Sequence, residues 1–221
     1  LTHYQTDPGK VRSHNEDSVT IVRNLSGDYL LIVADGMGGH KAGEVASSMA
    51  VTTIGSRFQS MSTLGNKVDA ITWLKEIIEE VNTSIIRYAD EHVDSMGLGS
   101  TLVCAVLSKD YLIFANVGDS SGFVIKSGKL YKVTKDHTLV NVLVESGELR
   151  PEEAVNHPQK NVLMKALGAA DKISADIFDV ETTVDGIFLC SDGLTNMVTT
   201  EQIERVLNDN SLDIEEKVDK L

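Results

Sequence analysis

The chain has 221 residues, enough for one domain with a sizeable core, and its 42% hydrophobic and 24% charged content is that of an ordinary globular protein rather than a disordered or fibrous one. Acids outnumber bases 33 to 20, a net charge of −13 that repels nucleic-acid backbones and anionic lipid, so an anionic substrate needs a local positive centre, either a basic side chain or a metal. No apolar run reaches the ~18–20 residues of a membrane span and no leader pattern opens the chain, so the sequence points to the cytoplasm.

Residues 19–25 and 29–34 read as a hairpin around Ser26-Gly27-Asp28, the second strand ending at Asp35-Gly36-Met37-Gly38-Gly39-His40. Residues 42–58, rich in Ala, Ser, Val and Met, predict a well-buried helix. Residues 68–92 predict an amphipathic one, because Ile71, Leu74, Ile78, Val81, Ile85 and Tyr88 recur at spacings of 3 and 4. Strands return at 101–107 and 111–117 around Ser108-Lys109-Asp110, then at 122–126 and 129–133 around Ser127-Gly128. Consecutive hairpins make an antiparallel meander and argue against a Rossmann-type sheet. Residues 138–165 are polar and helical in flavour, with Pro151 opening a short helix and His157-Pro158 closing it. Strands at 173–180 and 186–190 and helical stretches at 200–207 and 212–221 complete one α+β sandwich domain over residues 1–221, without repeats or linkers. Cys104 and Cys190 lie in apolar runs and read as buried thiols; their number excludes a disulfide scaffold or a Cys-rich zinc site.

Three places share one arrangement, an apolar strand, a small residue, an Asp and then Gly or Ser: Ala34-Asp35-Gly36, Gly118-Asp119-Ser120 and Ser191-Asp192-Gly193. An ionised carboxylate at the edge of a core is costly unless paired or metal-bound, and small neighbours let backbone approach a common point. One such Asp is most simply a turn or cap residue; three of them favour a shared site. Oxygen-only ligation, with Gly36 offering a carbonyl, points to Mg²⁺ or Mn²⁺. Two such cations activate water and stabilise in-line displacement at phosphorus. Arg12-Ser13-His14-Asn15-Glu16-Asp17 adds a guanidinium that can clamp phosphate and two acids that can hold metal waters.

In this order the segments Arg12…Asn15-Glu16-Asp17, Asp35-Gly36-Met37-Gly38-Gly39-His40…Ala42-Gly43, Gly97…Gly99-Ser100-Thr101, Val117-Gly118-Asp119-Ser120, Asp136-His137 and Ser191-Asp192-Gly193-Leu194 resemble the metal-dependent protein phosphatases of the protein phosphatase 2C family, most closely its bacterial branch. The resemblance spans residues 9–207. It implies a four-layer α/β/β/α sandwich of two antiparallel sheets flanked by helices. It also implies hydrolysis of phosphoserine and phosphothreonine by a water bridging two Mg²⁺ or Mn²⁺ ions, without a phosphoenzyme. Carried over, Asp35 bridges the two metals, the Gly36 carbonyl binds the second and Asp192 the first. Asp119 with Asp192 holds a third, weaker ion. Arg12 binds the substrate phosphate, Glu16 and Asp17 support the metal waters, and His40 is the general acid for the leaving alkoxide. Residues 138–165 form a flap beside the cleft. The implied partners are phosphorylated proteins and a Ser/Thr kinase whose action is reversed.

The sequence departs from that pattern twice. Ser121 stands where the family carries Arg after Gly-Asp-Ser. The family's closing Gly-Gly-x-Asp-Asn-x-Thr segment, which brings a further Asp to the first metal, has no match: Asp209-Asn210-Ser211 lacks the glycines and precedes the last helical stretch. The expectation is therefore a chain impaired relative to one that carries the segment. Two alternatives stand beside the phosphatase: a phosphopeptide-binding pseudophosphatase and a two-metal hydrolase of small phosphate esters. A P-loop is excluded, since no Gly-Lys-Ser/Thr follows the glycines at 36–39. His3, His14, His92, His137 and His157 read as structural or exposed.

Overall fold

The computed structural model describes residues 1–10, 14–38, 41–92 and 97–221. Strands β1 (Asp17–Arg23) and β2 (Tyr29–Met37) form the first hairpin and helices α1 (Lys41–Ser60) and α2 (Lys67–Glu91) follow. A two-residue strand β3 (Gly99–Ser100) leads into β4 (Leu102–Leu107), β5 (Leu112–Val117), β6 (Ser121–Lys126) and β7 (Lys129–Lys132). Then come α3 (Leu139–Glu145), α4 (Pro151–Ala154), β8 (Asp176–Val180), β9 (Gly186–Cys190), α5 (Asp192–Thr195), α6 (Thr200–Leu207) and α7 (Ile214–Lys220).

Two antiparallel sheets result. One runs β1-β2-β4-β5-β8 with β3 paired to the end of β2; the other runs β7-β6-β9. Strands β4 and β5 show no polar alternation because both of their faces are covered. Leu102, Cys104, Val106, Ile113, Ala115 and Val117 pack with Ala46, Ile54, Phe58, Leu74, Ile78, Val81 and Ile85 beneath α1 and α2. The intervening Ala105, Leu112 and Phe114 point the other way, against Val124, Ile187 and Leu189 of the second sheet. That sheet's outer face, with Phe123, Leu130 and Cys190, is closed by Ile203 of α6. Period-two alternation thus splits each strand between two cores, and the layers are helices, sheet, sheet, helices. Both thiols are free and buried.

Helix α2 starts at an Asn66 capping box in which the Asn66 side chain accepts from Val68 and Asp69 and the Asp69 carboxylate accepts from the Asn66 amide. Its stripe lies as expected on Leu74, Ile78, Val81 and Ile85, while Ile71 and Tyr88 are only partly buried. Trp73 packs on Phe58, ring centroids 5.9 Å apart.

Strand β2 does not end at Ala34 but continues through Asp35 and Gly36 to Met37, because Gly36 and Met37 pair with Ser100 and Gly99. Strand β8 begins at Asp176, and α4 ends at Ala154, short of the His157-Pro158 stop. Residues 138–165 hold α3 and α4. Their two ends are joined by a Thr138–Leu163 bridge and by the Leu139 amide, which donates to the Val162 carbonyl (2.9 Å), and the Met164 amide ties them to the His137 carbonyl (2.8 Å).

Candidate metal centre

The three Asp motifs come from places where the chain leaves one sheet or passes between the two. Asp35 lies in the last turn of pairing of β2, Asp119 in the link that carries β5 of the first sheet into β6 of the second, and Asp192 directly after β9. The first and last strands meet at that end of the sandwich, and Asp35 and Asp192 come together.

The backbone of Asp35 is fully engaged. Its amide donates to Thr101 Oγ1 (3.0 Å), and its carbonyl accepts from the Thr101 amide (2.9 Å) and Ser100 Oγ (3.1 Å). Thr101 Oγ1 in turn meets Ser120 Oγ at 2.7 Å, so the Asp35 and Asp119 segments share a hydroxyl bridge. The Asp35 side chain faces Asp17, its direct cross-strand partner, and Asp192. Like charges opposite one another destabilise a strand pair. Burial first, then the Asp17 and Asp192 charges, push the Asp35 carboxyl up to about 9. Asp119 is raised to about 6, again by burial first and then by Asp192 and Asp136.

Neighbouring groups hold these acids in place. Ser191 Oγ donates to Asp17 Oδ2 (2.7 Å), which ties the end of β9 to the start of β1. Asn196 Nδ2 donates to Asp192 Oδ2 (3.0 Å). Asp136 is held by Lys132 through both carboxylate oxygens at 2.7 Å.

Glu16 contributes through two different atoms. Its carbonyl accepts from the Gly36 amide (3.0 Å) and from Ser47 Oγ (2.6 Å), while its buried Oε1 has no hydrogen-bond partner among the described residues. At the same spot Gly36 lies against Gly43 in the first turn of α1. A Cβ on Gly36 would stand 2.1 Å from the Gly43 carbonyl oxygen and 2.6 Å from that of Glu16. Only two glycines allow the end of β2 and the helix to touch backbone to backbone there.

The donor set suits a hard divalent cation: carboxylates, a backbone carbonyl and an orphaned buried carboxylate oxygen, with no thiol or imidazole cluster among the described residues. Among the described residues no three His, Cys, Asp or Glu side chains are grouped closely enough to hold a metal ion, so what the fold assembles is a set of facing acids. An added 2+ charge would reverse the repulsion that keeps Asp35 protonated.

Of the residues expected from the sequence, Asp35, Asp192 and Asp119 converge. Asp17 stands directly across the strand pair from Asp35. Arg12 and His40 lie outside the described residues. Asp209 accepts from the amide and hydroxyl of Ser211 in an exposed turn. Sequence reasoning missed the Thr101–Ser120 bridge and the Ser191–Asp17 bond; the run Gly99-Ser100-Thr101 was the one visible signal for the first.

The chain has relatives among known proteins. The chain is 43% identical over 217 residues to the serine/threonine phosphatase stp of Listeria welshimeri, covering 98% of this chain and 86% of that protein. It superposes with a TM-score of 0.91 and 40% identity on the crystal structure of serine/threonine phosphatase Stp1 from Staphylococcus aureus, over 98% of this chain and 85% of that one. The catalytic domain of the serine/threonine protein phosphatase PstP, solved in complex with two manganese ions, matches at 30% identity and a TM-score of 0.81, over 98% of this chain and 86% of that one. Residues 9–219 match the family described as Protein phosphatase 2C, and the chain belongs to it.

Proposed function

We propose that the chain hydrolyses phosphoserine and phosphothreonine in proteins, with two Mn²⁺ or Mg²⁺ ions held by Asp35, the Gly36 carbonyl and Asp192, and a third, weaker ion held by Asp119 with Asp192. The observation that carries this reading is the convergence of the half-buried Asp17, Asp35 and Asp192, where burial and the neighbouring charges push the Asp35 carboxyl to about 9 and call for positive charge at that point. When bound, such ions supply that charge, attract the phosphate of an otherwise repelled anionic substrate and make water acidic enough to attack phosphorus. The chain's own residues orient them. Thr101 and Ser100 fix the Asp35 backbone, Ser191 fixes Asp17, and Glu16 offers its unpartnered oxygen. Arg12 engages the substrate phosphate and His40 delivers a proton to the leaving alkoxide. Residues 138–165 act as a flap that influences substrate choice; Val142, Val155, Val162 and Met164 are exposed there. The activity reverses a Ser/Thr kinase acting in the same cytoplasm.

Hydrolysis of a phosphothreonine peptide in Mn²⁺ and in EDTA, with Asp35→Asn and Asp192→Ala alongside, tests this. The expected result is phosphate release that EDTA abolishes and that falls by at least about a hundredfold in either variant, a transition-state loss of about 3 kcal/mol or more. Wild-type turnover in Asp192→Ala would refute the site. Mn²⁺ binding without turnover would favour a pseudophosphatase, and preference for a sugar phosphate would favour a small-ester hydrolase.

A further inference from the structure

The pair Asp136-His137 has a position in the fold that its sequence does not explain. His137 is largely buried and grips Gly118, the residue before Asp119, at both ends. The Gly118 amide donates to His137 Nδ1 (2.9 Å), and the His137 amide donates to the Gly118 carbonyl (2.9 Å). Asn116 Nδ2 joins the same carbonyl at 3.1 Å and also donates to the Lys135 carbonyl at 2.8 Å. Gly118 has φ +105°, and a Cβ there would meet Thr101 Cβ at 2.8 Å, so the turn is both left-handed and crowded. A turn of that kind keeps its shape only when its surroundings hold it.

The opposite side of His137 reaches the base of residues 138–165. Its carbonyl accepts from the Met164 amide (2.8 Å). Its buried Nε2 lies 3.1 Å from Asp176 Oδ2, off the line of a good hydrogen bond, and Asp176 also receives Lys165 Nζ at 3.1 Å. An accepting Nδ1 puts the ring proton on Nε2, toward the carboxylate, so Asp176 selects the tautomer that Gly118 requires.

We propose that His137 is a positioning residue for Asp119: its Nδ1 lone pair fixes the Gly118–Asp119 turn, and through it the Asp119 carboxylate, to the base of residues 138–165. This rests on the reading of Asp119 as a metal ligand. A His that merely filled space would tolerate any polar replacement of similar size. A positioning His is replaced only by a side chain that keeps an acceptor at the δ position. Asn does so, because its Oδ1 stands where Nδ1 stood. Gln does not, since it keeps a polar group toward Asp176 and leaves the Gly118 amide without a partner.

Titration calorimetry with Mn²⁺ and no substrate, on wild type, Asp119→Ala, His137→Asn and His137→Gln, separates these. The expected result is that His137→Asn binds Mn²⁺ like wild type, while His137→Gln weakens the same weakest event that Asp119→Ala removes, by at least about tenfold. Equal behaviour of the Asn and Gln variants, or unchanged binding in His137→Gln where Asp119→Ala has lost an ion, overturns the role of His137 alone. Unchanged binding in Asp119→Ala overturns the ligand reading and this proposal with it. A long-range ¹H–¹⁵N spectrum of the wild-type chain needs no variant: it must show Nδ1 unprotonated and Nε2 protonated, and the reverse tautomer contradicts the proposal.

Discussion

Gly36 and Gly55 are both glycines inside regular elements, yet they answer to opposite demands. At Gly36 an added methyl would overlap the Gly43 carbonyl at 2.1 Å, so Gly36→Ala forces β2 and α1 apart and drags Asp35 with them. The expected cost is about 3 kcal/mol, at the upper end of overpacking effects. In mid-helix Gly55 a methyl would meet Thr20 Cγ2 at an ordinary 3.5 Å, so Gly55→Ala is expected to add about 0.5–1 kcal/mol through reduced backbone entropy. Urea unfolding of both variants checks the two signs together. At this scale Asp35, Asp119 and Asp192 were legible because Asp is a poor strand residue and stood three times after an apolar run. The closeness of Asp17 to Asp35 was not, because it depends on the hairpin register, which pairs 17 with 35 across the 26–28 turn. Nor was the grip of His137 on Gly118, a contact across 19 residues that no local pattern encodes.

Helix α2 shows how an element is anchored by a polar residue. Asn82 is fully buried beside the apolar stripe. Its Nδ2 donates to the Ala170 carbonyl (2.9 Å) and its Oδ1 accepts from the Gly168 amide (2.7 Å), which fastens the loop before β8 to the helix. Asn82→Ala removes the partner of the half-buried Gly168 amide and of the exposed Ala170 carbonyl, two hydrogen bonds at about 0.5–1.5 kcal/mol each. A loss of about 1–3 kcal/mol follows, read as a lowered thermal midpoint with the fold retained. The helices were legible from periodicity and the hairpins from turn chemistry, because those signals are local. The extension of β2 through Asp35 was not, since it comes from pairing with a strand of only two residues more than sixty positions away. Strands β4 and β5, buried on both faces, gave apolar runs whose division between two cores appears only once the second sheet is in place.

Over the whole molecule, an acidic chain has gathered several of its acids at the junction of two sheets. Burial, and then Asp17 and Asp192, raise Asp35 from the ordinary 3.8 to about 9. Between those values the folded chain binds a proton there that the unfolded chain does not. In the absence of metal this group's contribution to stability is therefore greatest below about pH 4 and is lost as pH climbs toward about 9. A divalent cation reverses the sign, because it takes the proton's place and gains as pH rises. Titrating Mn²⁺ into the metal-free chain at pH 7, in two buffers of different ionisation enthalpy, counts the protons released on binding. Net proton release that disappears in Asp35→Asn is the predicted result; Mn²⁺ binding with no proton released, or equal release in Asp35→Asn, would contradict a metal centre built on these carboxylates.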